Sequence, residues 1–163
     1  MKDYFLNLAH YNKWANGKLF DVVSTLTSEE FESDCDVYFK SVKGTLNHLL
    51  VGDILWLSRL KGKPVSGLKL NDILYENLVD LTRARQELDA DIIQVLSDVD
   101  DAFVESDLNY QSTAGHEYTA PMQVVLGHMF NHQTHHRSHV HACLSRLGKD
   151  APDLDIIYFH LGM

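Results

Sequence analysis

Long stretches without proline, in which apolar residues recur three and four positions apart, constrain this chain more than any other feature it has. Only Pro64, Pro121 and Pro152 interrupt 163 residues, and between them the apolar positions follow the helical period rather than the alternation of a strand. The spacing predicts an all-α chain, and the length predicts one domain over residues 1–163. A first helix is expected from about Tyr4 to Leu26, with Phe5, Leu8, Leu19, Phe20, Val23 and Leu26 on one face. A second, from about Val42 to Leu60, is apolar on nearly every side, which predicts burial among several neighbours. A third is expected after Asn71, a suitable N-cap, and repeats Leu74, Leu78, Leu81, Leu88, Ile92, Val95 and Val99 at near-heptad spacing. The fourth is delimited by Pro121, which suits a first helical turn, and Gly148, which suits the position just past a helix end.

Between Asp100 and Ala120 the helical period is lost, and Leu108-Asn109-Tyr110 and Glu117-Tyr118-Thr119 flank Ala114-Gly115. A short hairpin before the last helix is expected there. The segment after Pro152, LDIIYFHLGM, is apolar enough to dock on the helices. Four long helices with one longer connection before the last describe a four-helix bundle with a crossover connection of the up-down-down-up type.

Composition excludes whole classes of function. Hydrophobic residues at 45% and charged residues at 23% are those of a globular domain, not of a disordered or fibrous chain. Fourteen Lys and Arg against 23 Asp and Glu leave a formal charge of -9, which repels phosphate backbones and anionic headgroups. Nucleic acid and membranes are therefore not expected partners. The N-terminal segment MKDYFLNLAHYNKW breaks every apolar run with a polar residue, unlike a signal sequence or a membrane span. Cys35 and Cys143 alone do not make a disulfide framework, and the expected setting is reduced and cytoplasmic.

Histidine carries the chemistry. Six of the ten histidines fall between residues 128 and 141, on the expected fourth helix. With about 100 degrees per residue and His128 at zero, Val125, Met129, Val140, Cys143, Leu144 and Leu147 form the buried stripe. His136 then falls inside it at about 80 degrees, and His132 at its edge near 40 degrees. Residues four apart stack one above the other, so His132 and His136 can present two imidazole nitrogens to a single ion. Two unpartnered imidazoles in a core would cost a few kcal/mol of desolvation, which a metal removes. His128, His135 and His139 fall beside the stripe, as outer contacts to the ion, substrate contacts or plain surface; His141 falls on the solvated side. Asp and Glu are absent from Thr134 to Arg146, and no Glu-x-x-His occurs in the chain, so a ferritin-like di-iron site has no support.

A catalytic metal needs a third protein ligand and an open position. His48 is the only histidine on the apolar second segment, and Gly44 and Gly52, one turn either side, would leave space for an ion and a small ligand. Periodicity supports it weakly, since the strongest apolar arc there contains Val42, Leu46, Leu49 and Leu57 and His48 lies off it. Asp53 does lie in that arc, where it would orient a ligand histidine, pair with Arg137, or serve in a plain structural ion pair. Asn12 and Asn16 lie one turn apart on the apolar face of the first helix, either near the metal or bridging helices by hydrogen bonds. Cys143 stands about 10 Å along the axis from His136, too far to share its ion, and reads as a structural thiol. No phosphate-binding loop, CxxC pair or GxSxG elbow is present.

The segments YNKWAN, TLNHLLVGDILWLSRL and GHMFNHQTHHRSHVHACLSRLG, in that order and spacing, resemble the DinB family of DNA-damage-inducible metalloproteins. The resemblance implies a four-helix bundle with a crossover, often dimeric, binding one divalent metal through three histidines. Carried over by position these are His48, His132 and His136. One departure is visible: the family often reads HHRGQ where this chain reads HHRSH, so Ser138 and His139 alter that turn. The wider superfamily includes transferases and isomerases that use low-molecular-weight thiols.

Two functions from different classes follow. One is a metal-dependent enzyme whose three-histidine site activates a thiol or water for S-transfer or hydrolysis of a small molecule, as a homodimer, with zinc, nickel or iron as the ion. The other is a non-catalytic metal-binding or stress-response module with a structural metal.

Overall fold

The computed structural model describes residues 1–63 and 67–163, so Pro64 lies outside the described residues. In chain order these form α1 (Lys2–Val23), α2 (Ser28–Glu32), α3 (Val42–Leu60), α4 (Leu78–Asp98), α5 (Asp101–Glu105), β1 (Asp107–Gln111), β2 (Glu117–Pro121), α6 (Met122–Arg146) and α7 (Ile156–His160). The chain is thus mostly helical, with one small two-stranded antiparallel sheet at the place where a hairpin is expected from the sequence.

Local side-chain chemistry sets most helix ends. Ser41 caps α3 by accepting from the Gly44 N–H at 3.0 Å, so this helix has the expected limits. Thr27 and Glu30 form a reciprocal capping box at the start of α2. Just before it, the Ser24 and Thr25 hydroxyls donate to the Asp21 and Val22 carbonyls, and the first helix ends at Val23 rather than Leu26. Pro121 precedes α6 as its N-cap, and Gly148, at φ +70°, ends it as expected, with the Lys149 N–H reaching back to the Leu144 carbonyl at 2.9 Å.

The third helix differs from its expected start. It begins at Leu78, capped by Asn77, and not after Asn71. The reason is a contact from another helix: the buried Asn47 side chain of α3 accepts from the N–H groups of both Leu74 and Tyr75 at 2.9 Å and donates to the Tyr75 carbonyl at 3.1 Å. Those backbone groups are then unavailable for helical bonds, and the segment crosses α3 in irregular form.

The long helices α1 and α3 each pack against both α4 and α6. Two apolar clusters fill the space between them. One includes Leu19, Phe20, Leu49, Leu50, Leu81 and Leu144, the other Phe5, Leu57, Ile92, Leu96, Val125 and Met129. Each helix also contributes polar residues between its two apolar stretches: Asn12 and Asn16, Asp53, Arg85 and Asp89, Gln133 and Arg137, all 3% exposed or less. Arg85 pairs with Asp53 at 2.8 Å and Asp89 at 2.9 Å. Asp53 also accepts from Gln133 at 2.7 Å, and Asp89 accepts from Asn16 at 3.1 Å and Asn12 at 3.2 Å. Arg137 closes the layer through the Asn12 and Asn16 side-chain oxygens.

Asp53 therefore pairs with Arg85 and not with Arg137, and its role is the structural ion pair. Asn12 and Asn16 bridge helices. Burial alone would lower the Arg85 pKa, but Asp89 and Asp53 more than offset it and the value is raised. The C-terminal segment docks as expected: Tyr11 Oη donates to the Leu154 carbonyl at 2.7 Å, and Phe159 of α7 packs beside Tyr11 and Trp14.

Candidate metal centre

Among the described residues, His48 from α3 and His132 and His136 from α6 place one ring nitrogen each within 4.8 Å of the other two. The His48 and His132 Nε2 atoms are 3.0 Å apart, and the His136 ring centroid lies 4.5 Å from each of the other two. An ion about 2.0–2.1 Å from each nitrogen needs donors converging on this scale. The HxxxH pair thus points where the helical wheel puts it, His136 buried and His132 at the edge.

The residues fit a cation for two further reasons. His48 Nδ1 lies 2.7 Å from the Leu70 carbonyl, to which its N–H donates, so the Nε2 lone pair faces the other two rings. Burial comes first among the causes that hold His132 at a pKa of about 4 and His136 at about 3, followed by the neighbouring imidazoles; His48 is lowered chiefly by burial. All three rings are neutral at pH 7, the state a metal ligand needs.

His48 is 4% exposed although it lies off the main apolar arc, because α3 is covered on several sides and burial marks no single face of it. The two glycines beside it do not leave the space expected of them. A Cβ on Gly44 would stand 2.1 Å from the Phe39 carbonyl oxygen, and one on Gly52 would stand 3.1 Å from His132 Cε1. Gly44 admits the Phe39 backbone, whose ring stacks on His48 at 3.8 Å, and Gly52 admits the His132 ring. Phe39 and Leu70 also line a groove of about 520 Å³ with Tyr38, Lys40, Asn71 and Ile73.

The other histidines divide. His128 is exposed, 5.6 Å from the His132 ring and 5.2 Å from Trp56. His135 and His139 group with His136 on the outer side of α6, and His141 is exposed as expected. Cys143 is buried in the same core cluster as Cys35, and burial, then Cys35, pushes its thiol up to about 12, so it is inert.

Sequence reasoning passed over Phe39 and the Leu70 carbonyl. The only trace of Phe39 in the sequence is Gly44, a glycine inside a helix that marks a close backbone approach. Arg85 and Asp89 were more visible, since they share the buried face of Leu81, Ile92 and Leu96.

The comparisons with known proteins bear on family and fold. Protein DinB of Bacillus subtilis (strain 168) is 27% identical over 155 residues, which cover 91% of this chain and 88% of that one. The crystal structure of a DinB-like protein from Bacillus cereus superposes with a TM-score of 0.72 at 18% identity, over 91% of this chain and 94% of that one, which shows a shared fold. The model of the DinB family matches residues 1–162. A chain matched almost from end to end, with a histidine cluster able to hold a metal ion between its second and last long helices, belongs to the DinB family.

Proposed function

We propose that this chain is a divalent-metal-dependent enzyme in which His48, His132 and His136 hold one ion and a small thiol, or water, is activated there for S-transfer or hydrolysis. The observation that carries this reading is the convergence of three neutral imidazoles from two helices with the His48 tautomer held by Leu70. Held by His48, His132 and His136, a zinc, nickel or iron ion would keep its full charge among neutral ligands and would supply Lewis acidity that lowers the pKa of a thiol or water.

The chain's own residues supply position and proton handling. Leu70 orients His48, Phe39 covers one face of its ring, and Gly52 lets His132 approach. His128 stands exposed beside the cluster, where it can accept a proton and pass it to solvent. A groove lined by Phe39 and Leu70 borders His48 through the two residues that hold its ring.

The same reading includes a four-helix bundle of the crossover type, supported by the packing of α1 and α3 against both α4 and α6. It also includes a cytoplasmic setting, supported by two free, buried cysteines, and a homodimer, which rests on the family resemblance alone. A second reading, a non-catalytic module whose ion staples α3 to α6, is favoured by the burial of His48 and His136, at 4% and 9% exposed.

The two readings separate on loading metal-free protein with cobalt(II) and adding a low-molecular-weight thiol. The enzyme reading expects a thiolate-to-cobalt absorption band and metal-dependent conjugation of the thiol to an electrophile, both lost in His48→Ala. Metal binding with neither band nor turnover would leave only the stapling role.

A further inference from the structure

A second group of histidines lies on the outer side of α6. His135 and His139 are one turn apart with ring centroids 4.8 Å from each other, and His136 lies 4.7 Å and 5.1 Å from them. One ring nitrogen from each of the three lies within 4.8 Å of the other two. Their burial is graded, from exposed His135 through half-buried His139 to buried His136. The Nδ1 atoms of both His136 and His139 are buried and have no hydrogen-bond partner among the described residues. Two adjacent orphaned imidazole nitrogens are costly, since each loses its water without replacement. The hydroxyl of Ser138, between them in sequence, is engaged elsewhere: Ser138 Oγ donates to the His135 carbonyl at 2.6 Å.

We infer that His135, His139 and His136 form a second site for a divalent transition metal, next to the three-histidine centre and more open to solvent than it. Imidazole pairs at i and i+4 on a helix suit zinc, nickel or copper rather than magnesium or calcium, which prefer oxygen. His136 belongs to both groups and has two ring nitrogens, so it bridges the sites with one nitrogen to each ion. A neutral imidazole carries one N–H proton, and that proton is released to solvent when both nitrogens become ligands. The outer site rests on the inner one only through this shared ring. It does not require that the inner ion be catalytic.

The arrangement also gives the outer site a direction. His135 meets solvent, and the ring it shares an ion with is the ring that faces the buried centre. An ion bound outside is thus one imidazole away from the inside.

Metal-free protein without an affinity tag is titrated with zinc(II) by calorimetry in two buffers of different ionisation enthalpy. The full chain is expected to bind two ions, one tightly and one more weakly, with protons released in the weaker step. His135→Ala/His139→Gln changes an exposed and a half-buried side chain, and is expected to reduce the stoichiometry to one while the tight affinity stays within about threefold. His48→Ala is expected to lose the tight step and keep the weaker one. A single ion bound by the unaltered chain, or two still bound by the His135→Ala/His139→Gln protein, overturns the second site. Loss of the weaker step alone in the double variant, with an unaltered tight step in His48→Ala, would instead overturn the inner centre while leaving the outer one.

Discussion

Replacing Asp53 by alanine tests whether the buried polar layer holds α3, α4 and α6 in the register that sets His48 opposite His132 and His136. Asp53 is 2% exposed, stands 2.8 Å from Arg85 and accepts from Gln133 at 2.7 Å. The layer contains Asp53 and Asp89 against Arg85 and Arg137, so it is neutral as a whole, and the substitution leaves it one positive charge in excess. Arg85 keeps only Asp89, and the Gln133 amide keeps only a 3.3 Å contact to the Leu49 carbonyl. Breaking a buried pair by removing one partner costs about 3–5 kcal/mol, because the remaining charge stays buried. At about 2–4 °C per kcal/mol for a domain of this size, the metal-free protein should melt about 6–20 °C lower.

Urea unfolding in chelator gives the free energy directly and should show an unchanged slope with a lower midpoint. Asp53→Ala/Arg85→Met restores neutrality and should recover part of the loss, a coupling of about 1 kcal/mol or more. A single-variant loss below about 1 kcal/mol, or strictly additive losses in the double variant, would refute the reasoning that charge balance in this layer holds the helices.

Three further outcomes are expected. His48→Ala, His132→Ala and His136→Ala should each lose most bound zinc on dialysis, whereas His141→Ala, exposed on the same helix, should keep it; equal metal content in all four would remove the assignment. Gly52→Ala puts a Cβ 3.1 Å from His132 Cε1, so the ring must move by a few tenths of an ångström and zinc affinity should fall about 10-fold or more, with little change in the stability of the metal-free protein. An unchanged zinc affinity in that variant would show that the ring has room to spare. Burial and neighbouring imidazoles hold His132 at about 4 and His136 at about 3, below the value of about 6.5 for an unfolded imidazole. The unfolded chain therefore binds protons that the fold cannot, and the metal-free fold keeps its full stability above about pH 6.5 and loses it as the pH falls toward 4. Denaturation at pH 7.5 and pH 5 checks this, and a pH difference that does not shrink in His132→Ala/His136→Ala assigns it elsewhere.

Much of the architecture follows from local rules that a single strand of sequence carries. α3 has the limits its apolar run predicts, Gly148 ends α6 at positive φ, and the His132–His136 pair faces inward because four residues make nearly one turn. The hairpin was legible because the helical period stops there. What only the tertiary structure decided are contacts between groups far apart in the chain. Residues 71–77 carry a helical apolar pattern, but Asn47 takes the backbone N–H groups of Leu74 and Tyr75, and a hydrogen bond across 27 residues leaves no mark in local periodicity. Asp53 was visible as a carboxylate in an apolar arc, yet whether Arg85 or Arg137 meets it depends on which helices lie adjacent. The same holds for His48. Its helix is buried on several sides, so no wheel singles out the face that meets α6; that face is set by Phe39 packed over the ring, Leu70 holding its N–H, and the close approach that Gly52 permits. Periodicity tells a helix which side to bury, but the choice of partner across the core is made by packing and by the pairing of buried polar groups, which exist only once the helices have come together.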